Sequence, residues 1–323
     1  MAGQTSALIQ IAVSPEAVPG TYLQPVANEY LPKAEGVSFN DAKEMVALKA
    51  AKGNISTTEE RRISKLMGTG SIPTPFGSKT AGNMLAAIFG QYDASPTDNG
   101  GGSYTHDYTV NNTNTPTSFS IVRIDGLGGQ KHFTYGLLNT GSFTATANGD
   151  PIILETEWMS RASEAQSDVT PAYFSDEVFF YPDHLTLEII NEDGSFTGTT
   201  VGVDEFSLTV DHAVDARGIT GQAGVDSVYW TDFIVTGSVV IVKEDNVAFN
   251  EALTNQNKAI RVTITDGGAN TVTFTMSSLT FENPEVTTDN HGIEQLTRGF
   301  EVHNPVDNFS ASLTNEVAAY PLT

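Results

Sequence analysis

Short stretches of the chain alternate apolar and polar residues with a period of two. Phe119-Ser-Ile121-Val-Arg123-Ile124, Val262-Thr-Ile264-Thr265 and Val272-Thr-Phe274-Thr-Met276 are examples. β-branched residues at that period make half-buried strands, because successive side chains point to opposite faces. Asp125-Gly126, Asn148-Gly149, Asp193-Gly194 and Asp266-Gly267-Gly268 lie between such runs. Gly and Asn tolerate positive φ, so hairpin connections are expected at these points. Helical periodicity is scarce. Met84, Leu85, Ile88 and Phe89 share one face of a segment from about Thr80 to Phe89, with Gly90 as its stop. A second helix is expected after Asp245, a candidate N-cap, with Val247, Phe249, Ala252 and Leu253. The pattern predicts a mainly β protein.

The pattern also repeats. Aligning residue n with n+167 places Phe39 on Phe206, Gly70-Ser71 on Gly237-Ser238 and Ile72 on Val239. Further along the offset is 141: Phe119 meets Ile260, Ile121 meets Val262, Phe133 meets Phe274 and Leu138 meets Leu279. The difference, 26 residues, falls in Tyr92–Thr117, a Gly/Asn/Thr-rich stretch read as a loop insertion. Duplication followed by insertion leaves two constant offsets of this kind; the alternative is that any two β-rich segments align somewhere. The expected organisation is a first β domain at 1–162 with the insertion at 92–117, a linker at 163–178, and a second β domain at 179–323. Asp41–Ala51 has helix-forming composition. The longer stretch Asp41–Met67 falls on Leu208–Ile234 of the second half, where Leu208-Thr-Val210 to Tyr229-Trp-Thr-Asp-Phe233 reads as strand, long loop, strand. By parity, Asp41–Met67 is expected to be a long hairpin with an exposed arm.

Charge narrows the function. The 323 residues carry 39 Asp+Glu against 16 Lys+Arg, a formal charge of −23, which does not suit a protein that clamps nucleic-acid phosphates. Six of those bases sit in the arm: Lys43, Lys49, Lys52, Arg61, Arg62 and Lys65. With the apolar Met45, Val46 and Leu48 between them, they suggest docking on an acidic neighbour, against the simpler reading of a solvated loop of mixed charge. The longest apolar run, Met84–Phe89, is far short of the roughly 20 residues that span a bilayer. The segment Met1–Ser6 lacks the basic and apolar regions of a signal peptide, so folding in the cytoplasm is expected.

Candidate chemistry is sparse. With zero cysteines, disulfides, thiolate zinc sites and cysteine nucleophiles are excluded. Gly126–His132 lacks the spacing of a phosphate loop and reads as a turn. His212 with Asp211 and Asp215 reads as a polar cluster or, more simply, a solvated loop, and His303 as the cap of a strand end. The acidic turns Asn191–Gly194 and Thr288–Asn290 do not have the calcium-loop register. There is no Gly-x-Ser-x-Gly elbow. No cofactor and no enzymatic activity are expected.

The segment Ala7–Ala12, Pro15-Glu16-Ala-Val-Pro19-Gly20-Thr21-Tyr22 and Tyr30-Leu31-Pro32 resembles the start of the tail tube (major tail) proteins of long-tailed bacteriophages. Gly68–Ile72 leading to Gly82–Gly90, and Phe119–Arg123 followed by Phe133–Asn139, extend the resemblance over most of the chain. It implies two tandem β-sandwich units, each with one flanking α-helix. It further implies rings stacked into a hollow tube through which DNA leaves the capsid, in the virion of a phage whose host cytoplasm makes the protein. The partners are then other copies of the chain, three per ring with pseudo-sixfold symmetry, and other tail proteins such as the tape measure and the terminator. DNA would pass the acidic lumen without specific binding, no membrane would be involved, and the basic arm would contact the next ring. The competing expectation is a surface-layer or adhesin-type β-sandwich with calcium-binding turns.

Overall fold

A computed structural model describes residues 9–320, apart from 27–28, 33–34, 50–57, 114, 127–128, 148, 167–168, 193, 198–199, 220–223, 243–256 and 289–293. The chain begins with β1 (Gln10–Pro15), β2 (Tyr30–Leu31), β3 (Asn40–Lys49), β4 (Thr58–Ser71) and β5 (Thr74–Pro75). Helix α1 (Ala81–Phe89) precedes β6 (Thr97–Gly100), β7 (Ser103–Thr109), β8 (Phe119–Ile124), β9 (Gln130–Thr146), β10 (Ile153–Arg161) and β11 (Glu164–Gln166). The second half holds β12 (Leu185–Asn191), β13 (Glu205–Asp211), β14 (Asp215–Gly218), β15 (Val225–Tyr229) and β16 (Ile234–Val242). It ends with β17 (Lys258–Thr265), β18 (Thr271–Phe281), β19 (Glu285–Thr288), β20 (Glu294–Val302) and β21 (Phe309–Asn315). The protein is mainly β, as its alternation predicts. Among the described residues the pairings between strands are antiparallel, with one isolated parallel bridge from Leu66 to Gly224, and the strands other than the β14–β15 hairpin belong to one hydrogen-bonded network.

The pairing order runs twice. In the first half β1 pairs β8, β8 pairs β9, β9 pairs β10, β10 pairs β4 and β4 pairs β3. In the second, β12 pairs β17, β17 pairs β18, β18 pairs β20, β20 pairs β16 and β16 pairs β13. Registers match locally as well. Ile121 faces Phe133 across β8–β9, and Val262 faces Phe274 across β17–β18, both members displaced by 141 residues. The glycines Gly70 and Gly237 lie opposite Trp158 and Phe300.

Long strand β9 joins the layers. Its first part pairs with β8 and β11, its second with β10 and β13. The switch falls at Tyr135, held at φ 56°, beside Gly136, where a Cβ would stand 2.7 Å from the Phe119 carbonyl oxygen. A non-glycine residue in the left-handed region costs energy, on the order of 1 kcal/mol or more, and persists only where its surroundings fix it. Glu16 supplies part of that surrounding. Its carboxylate accepts from the Tyr135 N–H (2.9 Å), Ser118 Oγ (2.7 Å), Ser120 Oγ (3.0 Å) and the Gly20 N–H (2.6 Å). The Glu-x-x-Pro-Gly turn is therefore a brace that ties the N-terminal loop to the kink in β9.

Helix α1 ends as expected, with Gly90 in the left-handed region and its N–H donating to the Ala86 carbonyl. It does not flank the protein, however. All nine of its residues are buried, and it contacts β1, β7, β9 and β21. A short helix that is apolar on most sides is stable only inside a core. The second expected helix, from Asp245, lies outside the described residues; a four-residue helix at Pro305–Asn308 was not anticipated.

Two expected connections have structure instead. Residues 92–117 are not a loop: the Asp98–Gly102 run is the tip of the β6–β7 hairpin, and β7 pairs with β21 from the far end of the chain. Tyr108 and His106 are buried there. A polar strand without an apolar face of its own is stable once a partner strand satisfies its backbone groups. The segment 163–178 likewise contains β11, paired with β9, and the buried Val169.

Candidate assembly surfaces

Eight strands lie side by side in the order β3–β4–β10–β9–β13–β16–β20–β18, with β19 continuing the β18 side along β20. One face of this sheet is core: Leu154, Trp158, Phe143, Phe206, Leu208 and Val210 are buried on alternate positions. The other face presents hydroxyls and carboxylates. Thr140, Ser142, Thr144 and Thr146 of β9 lie opposite Asp211, Thr209, Ser207 and Glu205 of β13. Thr236 and Ser238 continue the rows on β16, and Glu155 and Glu157 on β10. Ser207 and Ser238 share a hydrogen bond of 2.8 Å. Small hydroxyl side chains and carboxylates give a smooth, negative surface, and such a field repels polyphosphates.

The arm is a β-hairpin made of β3 and β4, as the repeat predicted in spite of its helix-friendly composition. Lys43, Arg61 and Arg62 are exposed on it and Lys65 is half-buried. Met45 is 47 % exposed, Val46 60 % and Ile63 43 %. Met45 and Ile63 face each other across the strands, so one side of the arm carries an uncovered apolar pair. Ile63 was missed in the sequence, where bases surround it. Leu48 and Lys49 form the end of β3, and Lys52 lies outside the described residues. The arm is fixed at its root. Asp41 accepts from the Ser163 N–H (2.9 Å), Ser163 Oγ (2.7 Å) and Lys131 Nζ (3.0 Å). Burial works against its charge, but these donors prevail and hold the carboxyl below the usual carboxylate range.

The corresponding hairpin of the second half, β14–β15, lies against the body instead. Ala216, Val225 and Val228 are buried with Leu137, and Met67, Tyr135 and Met159 pack round them. Arg161 donates to the Asp226 carbonyl and, at 3.2 Å, to the Gly20 carbonyl, and its guanidinium lies over the Tyr135 ring. His212 is not part of a solvated loop or an acidic cluster. It is fully buried and stacked on Trp230 at 4.0 Å, and its Nε2 lies 2.8 Å from the Ile88 carbonyl oxygen. A carbonyl only accepts, so Nε2 carries the proton. Burial pushes the imidazole pKa down to about 4, leaving it neutral.

The chain matches the phage tail tube protein family over residues 6–317, nearly its whole length. It belongs to that family. No curated protein matches it. The tail tube family is structural, which accords with a surface built of hairpins and hydroxyl rows, and membership makes the chain a virion component. Among the described residues no group of three or more His, Asp or Glu is placed to hold a metal, and no helix is long and apolar enough to cross a membrane. His303 follows β20 directly, its N–H donating to the Ser278 carbonyl at 2.9 Å, before Asn304 turns the chain at φ 40°.

Proposed function

We propose that this tail tube protein is the ring subunit of a hollow tail: three chains, each contributing two related units, form one pseudo-sixfold ring, and stacked rings make the conduit for DNA. The observation that carries this reading is the repeated pairing order, four strands of the eight-stranded sheet coming from each half. The halves, 1–162 and 179–323 joined through 163–178, are then duplicated copies, with β6–β7 as the added element that stitches the first to the second. The hydroxyl and carboxylate face would line the lumen, where negative charge keeps DNA from adhering. The arm from Asp41 to Met67 would reach axially to the adjacent ring, with Met45, Val46 and Ile63 buried there and Lys43, Arg61, Arg62 and Lys65 setting registry. Exposed ion pairs contribute only about 0–1 kcal/mol each, so apolar burial supplies most of that affinity. Tape-measure and terminator proteins are the expected further partners. Electron microscopy of the concentrated protein tests the reading. Tubes with threefold rings of whole chains are expected; true sixfold rings of whole chains, or flat lattices that need calcium, would overturn it.

A further inference from the structure

The eight-stranded sheet has two rims, and they differ. β10 runs from Ile153, paired with Pro75, to Arg161, paired with Met67. The arm leaves at the Arg161 rim, because residues 58–66 of β4 extend past its last pair with β10. At the Ile153 rim the connection between the halves is tied down. The Ile152 N–H donates to the Phe180 carbonyl (3.0 Å), the Phe180 N–H to the Phe76 carbonyl (2.9 Å) and the Ser78 N–H to the Val178 carbonyl (2.8 Å).

Beside these bonds lies a groove of about 500 Å3, lined by Ile9, Pro32, Tyr173, Phe174, Glu177 and Phe179. Tyr173 is 42 % exposed, and Val178, between Glu177 and Phe179, is exposed as well. Apolar surface gathered in this way marks a contact site. Glu177 is only half satisfied. Its Oε1 accepts from the Lys79 N–H (2.8 Å), the Thr80 N–H (3.1 Å) and Thr80 Oγ1 (3.3 Å), while Oε2 is buried with no hydrogen-bond partner among the described residues. A buried acceptor without a donor is costly, and a cationic side chain entering the groove would satisfy it. The rim is negative. Lys79, whose ammonium lies over the Phe174 ring, is shared at 2.7 and 3.1 Å by the exposed carboxylates of Asp176 and Glu316.

Resting on the ring reading above, we infer that this groove is the seat of the arm of a second copy: Met45 and Ile63 lie against Tyr173, Phe174 and Phe179, and Arg61 meets Asp176, Glu316 and the open oxygen of Glu177. The arm has the matching surface. Met45 and Ile63 face each other across the hairpin, and Arg61, two residues from Ile63, points to the same side and is exposed. Residues 41–67 hold six bases against four acids on a chain of charge −23, and one of those acids, Asp41, is engaged at the root by Lys131 and Ser163. Aromatic and arginine anchors in a pocket are the groups that carry affinity at protein contacts. Arm and seat lie on opposite rims, so the contact is heterologous and continues from ring to ring. Both occur once per chain, since the second half's hairpin is folded onto the body and the connection at 163–178 is single. One arm therefore fills one seat.

Cross-linking tests the seat. Tubes are assembled from an isotopically light Tyr173→p-benzoylphenylalanine variant and heavy wild-type chains, then irradiated, digested and read by mass spectrometry. The expected product joins light position 173 to a heavy peptide within residues 43–66, and it should be absent from the unassembled chain. Wild-type tubes of mixed light and heavy chains, treated with a zero-length carbodiimide, should give a light–heavy linkage from an arm lysine, Lys43 or Lys65, to Asp176 or Glu316. Normal tubes in which position 173 captures nothing, or another segment, the chain's own residues before Ile9 included, would overturn the seat and leave the tube reading standing. If the variant does not assemble, the wild-type linkage decides, and its absence overturns the seat. Failure of the wild-type chain to form tubes or rings at all would overturn the ring reading, and the seat with it.

Discussion

The β3–β4 arm and the β14–β15 hairpin leave the sheet at matching places in the two halves, yet one projects and the other folds down. The difference lies in what each can bury. β14–β15 carries Ala216, Val225 and Val228 on one side and finds Leu137, Met67 and Met159 below it. Its return is fixed by Ala213 at φ 45°, just after the buried His212 stacked on Trp230. The arm carries Met45 and Ile63 exposed on one side, outside the buried clusters of the described residues, and bases elsewhere. A two-stranded hairpin is marginal alone; the folded hairpin is stabilised by the body, and on the proposed reading the projecting one is stabilised by the adjacent ring. Hairpins at matching places in the two halves thus differ by a few side chains in whether their apolar side is covered by the body.

Deleting Lys43–Arg62 should have the largest effect. We expect a folded protein with an unchanged far-UV spectrum that no longer forms tubes by electron microscopy; normal tubes would send the arm to the outer surface. Matching charges placed in the two hairpins then separate their roles. Val228→Asp buries a carboxylate among apolar residues and should lower the unfolding free energy by about 3 kcal/mol or more, with faster trypsin cleavage after the exposed Arg217. Met45→Asp sits on an uncovered surface and should change monomer stability by less than about 0.5 kcal/mol while preventing polymerisation. Equal losses of stability in the two variants would abolish the contrast.

The pin under the folded hairpin should respond to acid. His212 titrates at about 4 in the folded chain, below the usual histidine value near 6.5, because burial disfavours its charge. Between those values the unfolded chain binds a proton that the folded chain does not, so stability falls as pH falls through this window. About 2 kcal/mol should be lost between pH 7 and pH 5. Glu29 and Glu177, held above the usual carboxylate range by burial, act in the opposite direction. The His212 contribution is therefore the difference in urea midpoint shift between wild type and His212→Gln. An identical pH slope in the two would show that the imidazole is charged when folded. The smallest effect belongs to the arm's charges. Lys43→Ala with Arg61→Ala should leave stability within about 0.5 kcal/mol and slow tube growth, the slowing being greater at low salt, as light scattering would report.

The sequence by itself determined the local elements and their repetition. Alternation identified the strands, Gly90 stopped α1, and the constant offset made the arm a hairpin although Asp41–Ala51 is composed like a helix. These are properties of neighbouring residues, or of one half read against the other. Tertiary structure decided which strands meet. Polar β7 is a strand because β21, some two hundred residues away, offers it a ladder, and nothing within 92–117 announces that partner. His212 looked polar beside Asp211 and Asp215, yet the Ile88 carbonyl and the Trp230 ring hold it in the core. The descent of β14–β15 likewise depends on Leu137, Met67 and Met159, which come from three other strands. Burial is a property of the surface that a segment meets. A residue's own neighbours in sequence record its propensity to form a strand or a turn, and do not record what will cover it.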